Sequence, residues 1–444
     1  MVRWIDRKTK KNLALNLLCY VVLIRVITLF FYEGYSIFPD SEGYIELGNQ
    51  LSTLNLNGYS GKRTPGYPIL IALTGNNLIF VKIIQIILGA ISTFLLYDLV
   101  KKETKNNLWA FLTAIFATSF VHFIFFEAAI LTETLTLFVL LLSFWLIRLK
   151  ECLDARVSYS NLILLSALFA YLYFIRPMFI YVPIGFALFY LVKNLKFNYK
   201  KAIYKSLLVL IFPLIAFYSW SSLNKKNIGV FGSTYFLGIN LTQTATPFFE
   251  LVSDEHKEIR DIIVKHRDSI ANIPDKNIAM SIWAAYDELL KETQLTPPQL
   301  SEKLGGISTD LFKKHPELYI KQVSISWLHF WKESLLWNPK QIKSTFLKNI
   351  LMGTWLYIQQ WVGMVLSILF IFFGLKHIFR FFKLKCMVYD FNFFLILIIL
   401  SGSIAQALIT FGSNNRFSFP YFPLIIYIVF INLFTLKSKN ATDT

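Results

Sequence analysis

LILLSALFAYLYFIRPMFIYVPIGFALFYLVKNLK fills residues 162–196, and how it is divided decides the layout of the chain. It is apolar except for Arg176 at its centre and Lys193 and Lys196 near its end. Apolar runs without polar alternation suit helices in lipid and not barrel strands. As a single kinked helix, the stretch would carry Lys193, Lys196, Lys200, Lys201 and Lys205 to the side opposite the chain's other basic loops. Divided at Arg176-Pro177, where proline withdraws a backbone donor and crowds the preceding turn, it gives two short helices and gathers every basic loop on one side.

Working outward, ten apolar segments appear: Asn12–Tyr32, Leu78–Val100, Leu108–Phe126, Ile130–Ile147, Leu162–Ile175, Met178–Val192, Ile203–Trp220, Ile350–Leu375, Phe391–Phe411 and Phe419–Leu436. Over the whole 444 residues 55% are hydrophobic and only 16% charged, against about a quarter charged in soluble domains. A soluble multidomain enzyme is excluded, and 17% aromatics exclude a disordered chain. The net charge of +17 would suggest nucleic acid in a soluble protein. Here the cations cluster between apolar runs, which fits loops facing anionic lipid and no nucleic-acid partner. The three cysteines, Cys19, Cys152 and Cys386, support no disulfide framework. No small-residue cleavage site follows the first apolar run, which reads as a retained helix.

The basic loops are Arg3–Lys11, Lys101–Lys105, Arg148–Arg156, Lys193–Lys205, Lys376–Lys385 and Lys437–Lys439. The positive-inside rule makes that side cytoplasmic, with both termini inside a cell membrane crossed about ten times. The expected fold is an all-α integral membrane bundle. Residues 1–220 form an N-terminal transmembrane module whose first outer loop is 33–77. Residues 221–348 form a largely helical extracytoplasmic region, and 349–444 hold the last helices. Within the second region His256–Ile270 and Ile278–Glu292 read as helical pieces. Leu318–Trp331 aligns Tyr319, Val323, Trp327 and Phe330 on one face, as an interfacial helix does.

The first outer loop carries the chemistry. Asp40 and Glu42 open an amphipathic helix with Tyr44, Leu47, Leu51 and Leu54 on its apolar face. A carboxylate at the membrane rim can serve as a general base; the plainer role for Asp40 is to cap a helix starting at Ser41. Lys62 and Arg63 precede Thr64-Pro65-Gly66-Tyr67-Pro68, which holds the backbone out of regular helix. Arginine there can clamp a phosphate bidentately, while the plainer role is a headgroup anchor. Arg25, in mid-helix, suits an ion pair inside the bundle. His122 could bind a metal with Glu127 or Glu133, although a hydrogen-bonded histidine is commoner, and no clustered ligand spacing is present. Asn240-Leu241-Thr242 fits a glycosylation acceptor.

Asp40-x-x-x-Tyr44 followed by Arg63-x-Pro-Gly-Tyr67-Pro resembles the GT-C glycosyltransferases that use lipid-phosphate sugars, in the branch of protein O-mannosyltransferases and aminoarabinose transferases. Leu131-Thr132-Glu133, Arg176-Pro177, His315-Pro316-Glu317-Leu318-Tyr319 and Asn415-Arg416-Phe417 resemble further motifs of that group, in order along nearly the whole chain. In two places the chain departs from the group: Ser41 separates Asp40 from Glu42, and Arg63 stands where the aminoarabinose transferases have lysine. The resemblance implies sugar transfer with inversion, from a polyprenyl-phosphate donor to an acceptor hydroxyl on a glycan, lipid or protein, at the extracytoplasmic face. Asp40 would be the base, and Glu133 would orient the sugar or help hold a divalent cation. Arg63, Lys62 and Arg416 would bind the donor phosphate, with Glu42, Tyr44, Tyr67 and Arg176 completing the substrate site. No other cofactor is implied. A transporter or flippase of lipid-linked sugars would explain the bulk and the cations, but no matched halves are visible. A glycan polymerase or ligase would use a lipid-diphosphate donor.

Overall fold

The computed structural model describes residues 2–271, 273, 277–383, 389–410 and 414–440, with backbone alone for 2–11, 414, 439 and 440. Lys385, Cys386 and Gly412 lie outside the described residues, as do the side chains of Arg3, Arg7, Lys8, Lys10, Lys11 and Lys439.

The described chain is helical. The first half holds α1 (Val2–Phe31), α2 (Pro39–Ser52), α3 (Gly66–Leu73), α4 (Leu78–Thr104), α5 (Asn107–Thr118), α6 (Val121–Ala128), α7 (Glu133–Leu149), α8 (Tyr159–Ile175), α9 (Tyr181–Asn194) and α10 (Tyr199–Ile228). After it come α11 (Leu237–Ala245), α12 (Lys257–Ala271), α13 (Ser281–Ala284), α14 (Tyr286–Thr293), α15 (Pro297–Lys314) and α16 (Pro316–Phe330). The last helices are α17 (Thr345–Thr354), α18 (Gln360–Lys383), α19 (Phe391–Ile409) and α20 (Phe422–Asn440). Among the described residues, seven helical stretches are long and apolar enough to cross a bilayer, and the bent pair α5–α6 makes an eighth if it is one span. This is an all-α, multi-pass membrane protein. The segment expected at Ile130–Ile147 forms α7, with 17 residues, and α8 is likewise short.

Side chains at the helix ends explain where the helices begin and bend. Asn77, Asn106 and Asn198 accept backbone N–H bonds at the starts of α4, α5 and α10. Arg176 closes α8, and a 3₁₀ turn from Pro177 to Ile180 leads into α9. α5 and α6 meet at 61°. Gln359 meets two backbone groups at that bend, accepting from Val121 N–H (2.7 Å) and donating to the Ser119 carbonyl (2.8 Å). Helices α11–α15 share an apolar core of their own around Ile239, Phe249, Ile263, Leu289 and Leu304. α16 packs on α19, where Trp327 Nε1 donates to Ser403 Oγ at 3.0 Å.

One buried ion pair ties the N-terminal bundle together. Arg25 of α1 donates to Glu127 of α6 through Nη2 at 2.6 Å and Nε at 3.1 Å. This is the internal pair expected for a mid-helix arginine. Gly89 of α4 leaves the room, since a Cβ there would sit 1.9 Å from Glu127 Oε1.

Candidate active site in residues 33–77

Two isolated bridges fix the loop of residues 33–77, pairing Tyr32 with Ile342 and Ser36 with Ala129. Ser41 completes the anchor. Its Oγ accepts from Phe38 N–H (3.0 Å) and donates to the Ile130 carbonyl (2.8 Å). The start of α2 is thereby held beside the start of α7, which brings Asp40 and Glu133 to one place. Asp40 does not cap α2: Phe38 holds the cap position, Pro39 the first helical position, and Asp40 the second. Its carboxylate is free to turn toward other elements.

Five charged side chains then form one chain. Arg63 Nη2 donates to Asp40 Oδ1 at 2.8 Å, and Arg416 Nη2 donates to Asp40 Oδ2. Arg416 Nε also lies 3.8 Å from Glu133 Oε1, to which Arg176 Nη2 donates at 2.5 Å. Arg176 Nε donates to Thr132 Oγ1 at 2.6 Å. Aromatic faces support the cations. Arg63 lies over Tyr44 (4.7 Å) and Phe236 (5.5 Å), and Arg176 and Arg416 lie over Phe417 at 5.3 and 5.1 Å. Tyr67 is fully buried; it packs edge-on against Tyr44 at 5.2 Å and donates to Gln85 Oε1 at 2.8 Å. Gly66 lets this turn touch the end of α8, since a Cβ there would lie 2.4 Å from the Ile175 nitrogen.

The structure therefore brings together Asp40, Tyr44, Arg63, Tyr67, Glu133, Arg176 and Arg416. Glu42 and Lys62 are exposed and lie outside this network. The Asp40 side chain is 27% exposed and that of Glu133 only 1%, so the network runs from an open rim to a closed floor. Three guanidiniums against two carboxylates leave one net positive charge. Among the described residues, three buried atoms of this network have no hydrogen-bond partner: Arg63 Nε, Arg176 Nη1 and Glu133 Oε2. Buried polar atoms are rarely left so, and these three give the site open donors and an open acceptor. Burial raises the Asp40 carboxyl pKa, but Arg416 and then Arg63 outweigh it and hold the group well below the usual carboxylate range.

Among the described residues no three His, Cys, Asp or Glu side chains cluster to hold a metal ion. His122 does not use Glu127 or Glu133, which are paired with Arg25 and Arg176. Its Nε2 lies 3.7 Å from Glu333 Oε2, and both side chains are buried. Burial pushes the Glu333 carboxyl up to about 8, so it is protonated in the folded chain at neutral pH and ionised when unfolded. The stability this group contributes is full below about pH 4 and lost as pH rises through about 8. In a melting series from pH 5 to 9, Glu333→Gln should lose less stability than the parent between about pH 5 and 8, and the two curves should run parallel above that. Curves parallel over the whole series would refute this.

No family model matches the chain, and no curated protein matches it. What the sequence alone did not reveal is Phe236 beneath Arg63, Gln85 behind Tyr67 and Glu333 beside His122. Phe236 belongs to the 221–348 region and Gln85 to the first third of α4, so neither lies near a motif.

Proposed function

We propose that this protein is an inverting membrane glycosyltransferase that moves a sugar from a polyprenyl-phosphate donor to an acceptor hydroxyl on the extracytoplasmic face. The observation that carries this reading is the partly buried Asp40 carboxylate set between Arg63 and Arg416, with Arg176 and Glu133 beneath. Asp40 takes the acceptor proton while the acceptor oxygen bonds to the anomeric carbon. The anomeric bond to the phosphate oxygen breaks, and its electron pair stays on the polyprenyl phosphate. Positive charge placed at the leaving oxygen before reaction lowers the barrier most in a site shielded from water.

The charge count supports a monophosphate donor. A sugar phosphodiester carries one negative charge, matching the one net positive charge of the network. After transfer Asp40 is neutral, the network holds two net positive charges, and the lipid phosphate released is a dianion. A diphosphate donor would leave a negative charge unmatched throughout. Purified protein in nanodiscs, given radiolabelled polyprenyl-phosphate sugars and candidate acceptors, should move label out of the lipid fraction. Retention of label across the panel would reject the reading.

Ten crossings with both termini cytoplasmic belong to the same proposal, because they place the Asp40 network outside. Reporter fusions after Lys101 and Lys196 should then read cytoplasmic, and fusions within 33–77 or near Asp287 should read outside. A cytoplasmic signal near Asp287 would overturn both the topology and the side assigned to the site. For the clamp, Arg63→Ala and Arg416→Ala should each weaken donor binding by about 1.5–3 kcal/mol. Arg63→Lys should also weaken it, since lysine lacks the two-pronged donor. In a double-mutant cycle on donor affinity the two alanine changes should be non-additive, because they share one phosphate. Strict additivity would leave them as separate headgroup anchors.

A further inference from the structure

We propose that Asp40 and the donor phosphate compete for the same two guanidiniums, so that donor binding is what releases the base. This rests on the function proposed above and adds an order of events to it. The geometry supplies the reason. An arginine grips an oxyanion bidentately along its Nε–Nη2 edge. In Arg63 that edge is half used, with Nη2 on Asp40 Oδ1 and Nε buried without a partner. Gly43 keeps the space beside this edge, since a Cβ there would lie 3.0 Å from Arg63 Nε. Arg416 turns the same edge toward two carboxylates, with Nη2 on Asp40 Oδ2 and Nε 3.8 Å from Glu133 Oε1.

A phosphate that takes both prongs of Arg63 draws on the Nη2 group that Asp40 now holds, and its negative charge competes with the carboxylate for that guanidinium. While both Asp40 oxygens hold guanidinium N–H groups, the carboxylate is a weak proton acceptor. Once the phosphate takes those N–H groups, the burial that raises its proton affinity is no longer outweighed. No covalent bond changes in this exchange; hydrogen bonds move from carboxylate to phosphate. The groups facing Asp40 are Arg63 from the segment before α3 and Arg416 from the turn before α20. Behind them lie Glu133 of α7 and Arg176, and Tyr44 of its own helix lies under Arg63.

The test is the affinity of unsubstituted polyprenyl phosphate in nanodiscs. If Asp40 competes, Asp40→Asn should bind it at least about tenfold tighter than the parent, the lower end expected for one charge-assisted hydrogen bond. Gly43→Ala, a change favourable to helix α2, should crowd the Arg63 edge and weaken binding. In the parent, the acid limb of kcat should fall at higher pH than that of kcat/KM, since the first reports the donor-bound enzyme and the second the free enzyme. Parent-like or weaker binding in Asp40→Asn, or coincident acid limbs, would overturn the exchange while leaving the transferase reading in place. Absence of polyprenyl-phosphate binding in both parent and Asp40→Asn would overturn the transferase reading itself.

Discussion

Asp40→Asn should cut sugar transfer by about 10²–10⁴-fold, the usual worth of a well-placed general base, while the protein stays folded and still binds donor. The amide has the size of the carboxylate and can accept from one guanidinium, but it cannot take the acceptor proton. A role in capping would forecast near-normal turnover, since Asn caps about as well as Asp. The structure sharpens this contrast, because Asp40 is the second residue of α2 and its oxygens face Arg63 and Arg416. The measurement is single-turnover transfer from labelled donor in nanodiscs, with donor affinity determined on the same sample. Turnover within a few-fold of the parent would reject Asp40 as the base. Its low proton affinity in the free protein also sets the pH response. The Asp40 ion pairs stabilise the fold above about pH 4 and are lost only as pH falls below the usual carboxylate range.

The second large effect lies in the bundle. Arg25→Met should destabilise the protein by about 3–5 kcal/mol, because it leaves Glu127 buried without its cation. Both side chains are almost completely enclosed, at 5% and 2% exposure, so water cannot replace the lost partner. Replacing both, as Arg25→Met with Glu127→Met, should recover most of the loss, since an apolar pair removes both desolvation penalties. Unfolding in detergent, monitored for the parent, the two single variants and the double, separates the outcomes. A double variant as unstable as the worse single one would show that the pair does more than neutralise itself.

The division of residues 162–196 at Arg176-Pro177 was legible because proline acts through its own backbone, whatever surrounds it. The membrane class was legible for a similar reason, since the need to bury backbone polar groups in lipid is met helix by helix. The bend between α5 and α6 was not legible. Two backbone groups there are met by Gln359, 240 and 238 positions away, and no local pattern marks such a partner. For the same reason the internal partner of Arg25 could be expected as a type but not named.

At the candidate site, the residue types able to hold a phosphate and take a proton can be read directly from the chain's composition and order. Those properties belong to the guanidinium and the carboxylate and need no fold. The tertiary structure alone decided which of them meet. Ser41 pins α2 to the start of α7, Gly66 admits close contact with the end of α8, and Arg416 reaches Asp40 across 376 positions. It also left Glu42 and Lys62 outside, although they adjoin residues that are inside. A one-residue step along a helix turns a side chain by about 100°, so Asp40 faces the arginines while Glu42, two steps on, is exposed. Hydropathy and motif spacing carry the order of residues along the chain. Which charges share a site depends on how helices pack, and that is fixed by contacts between segments distant in sequence.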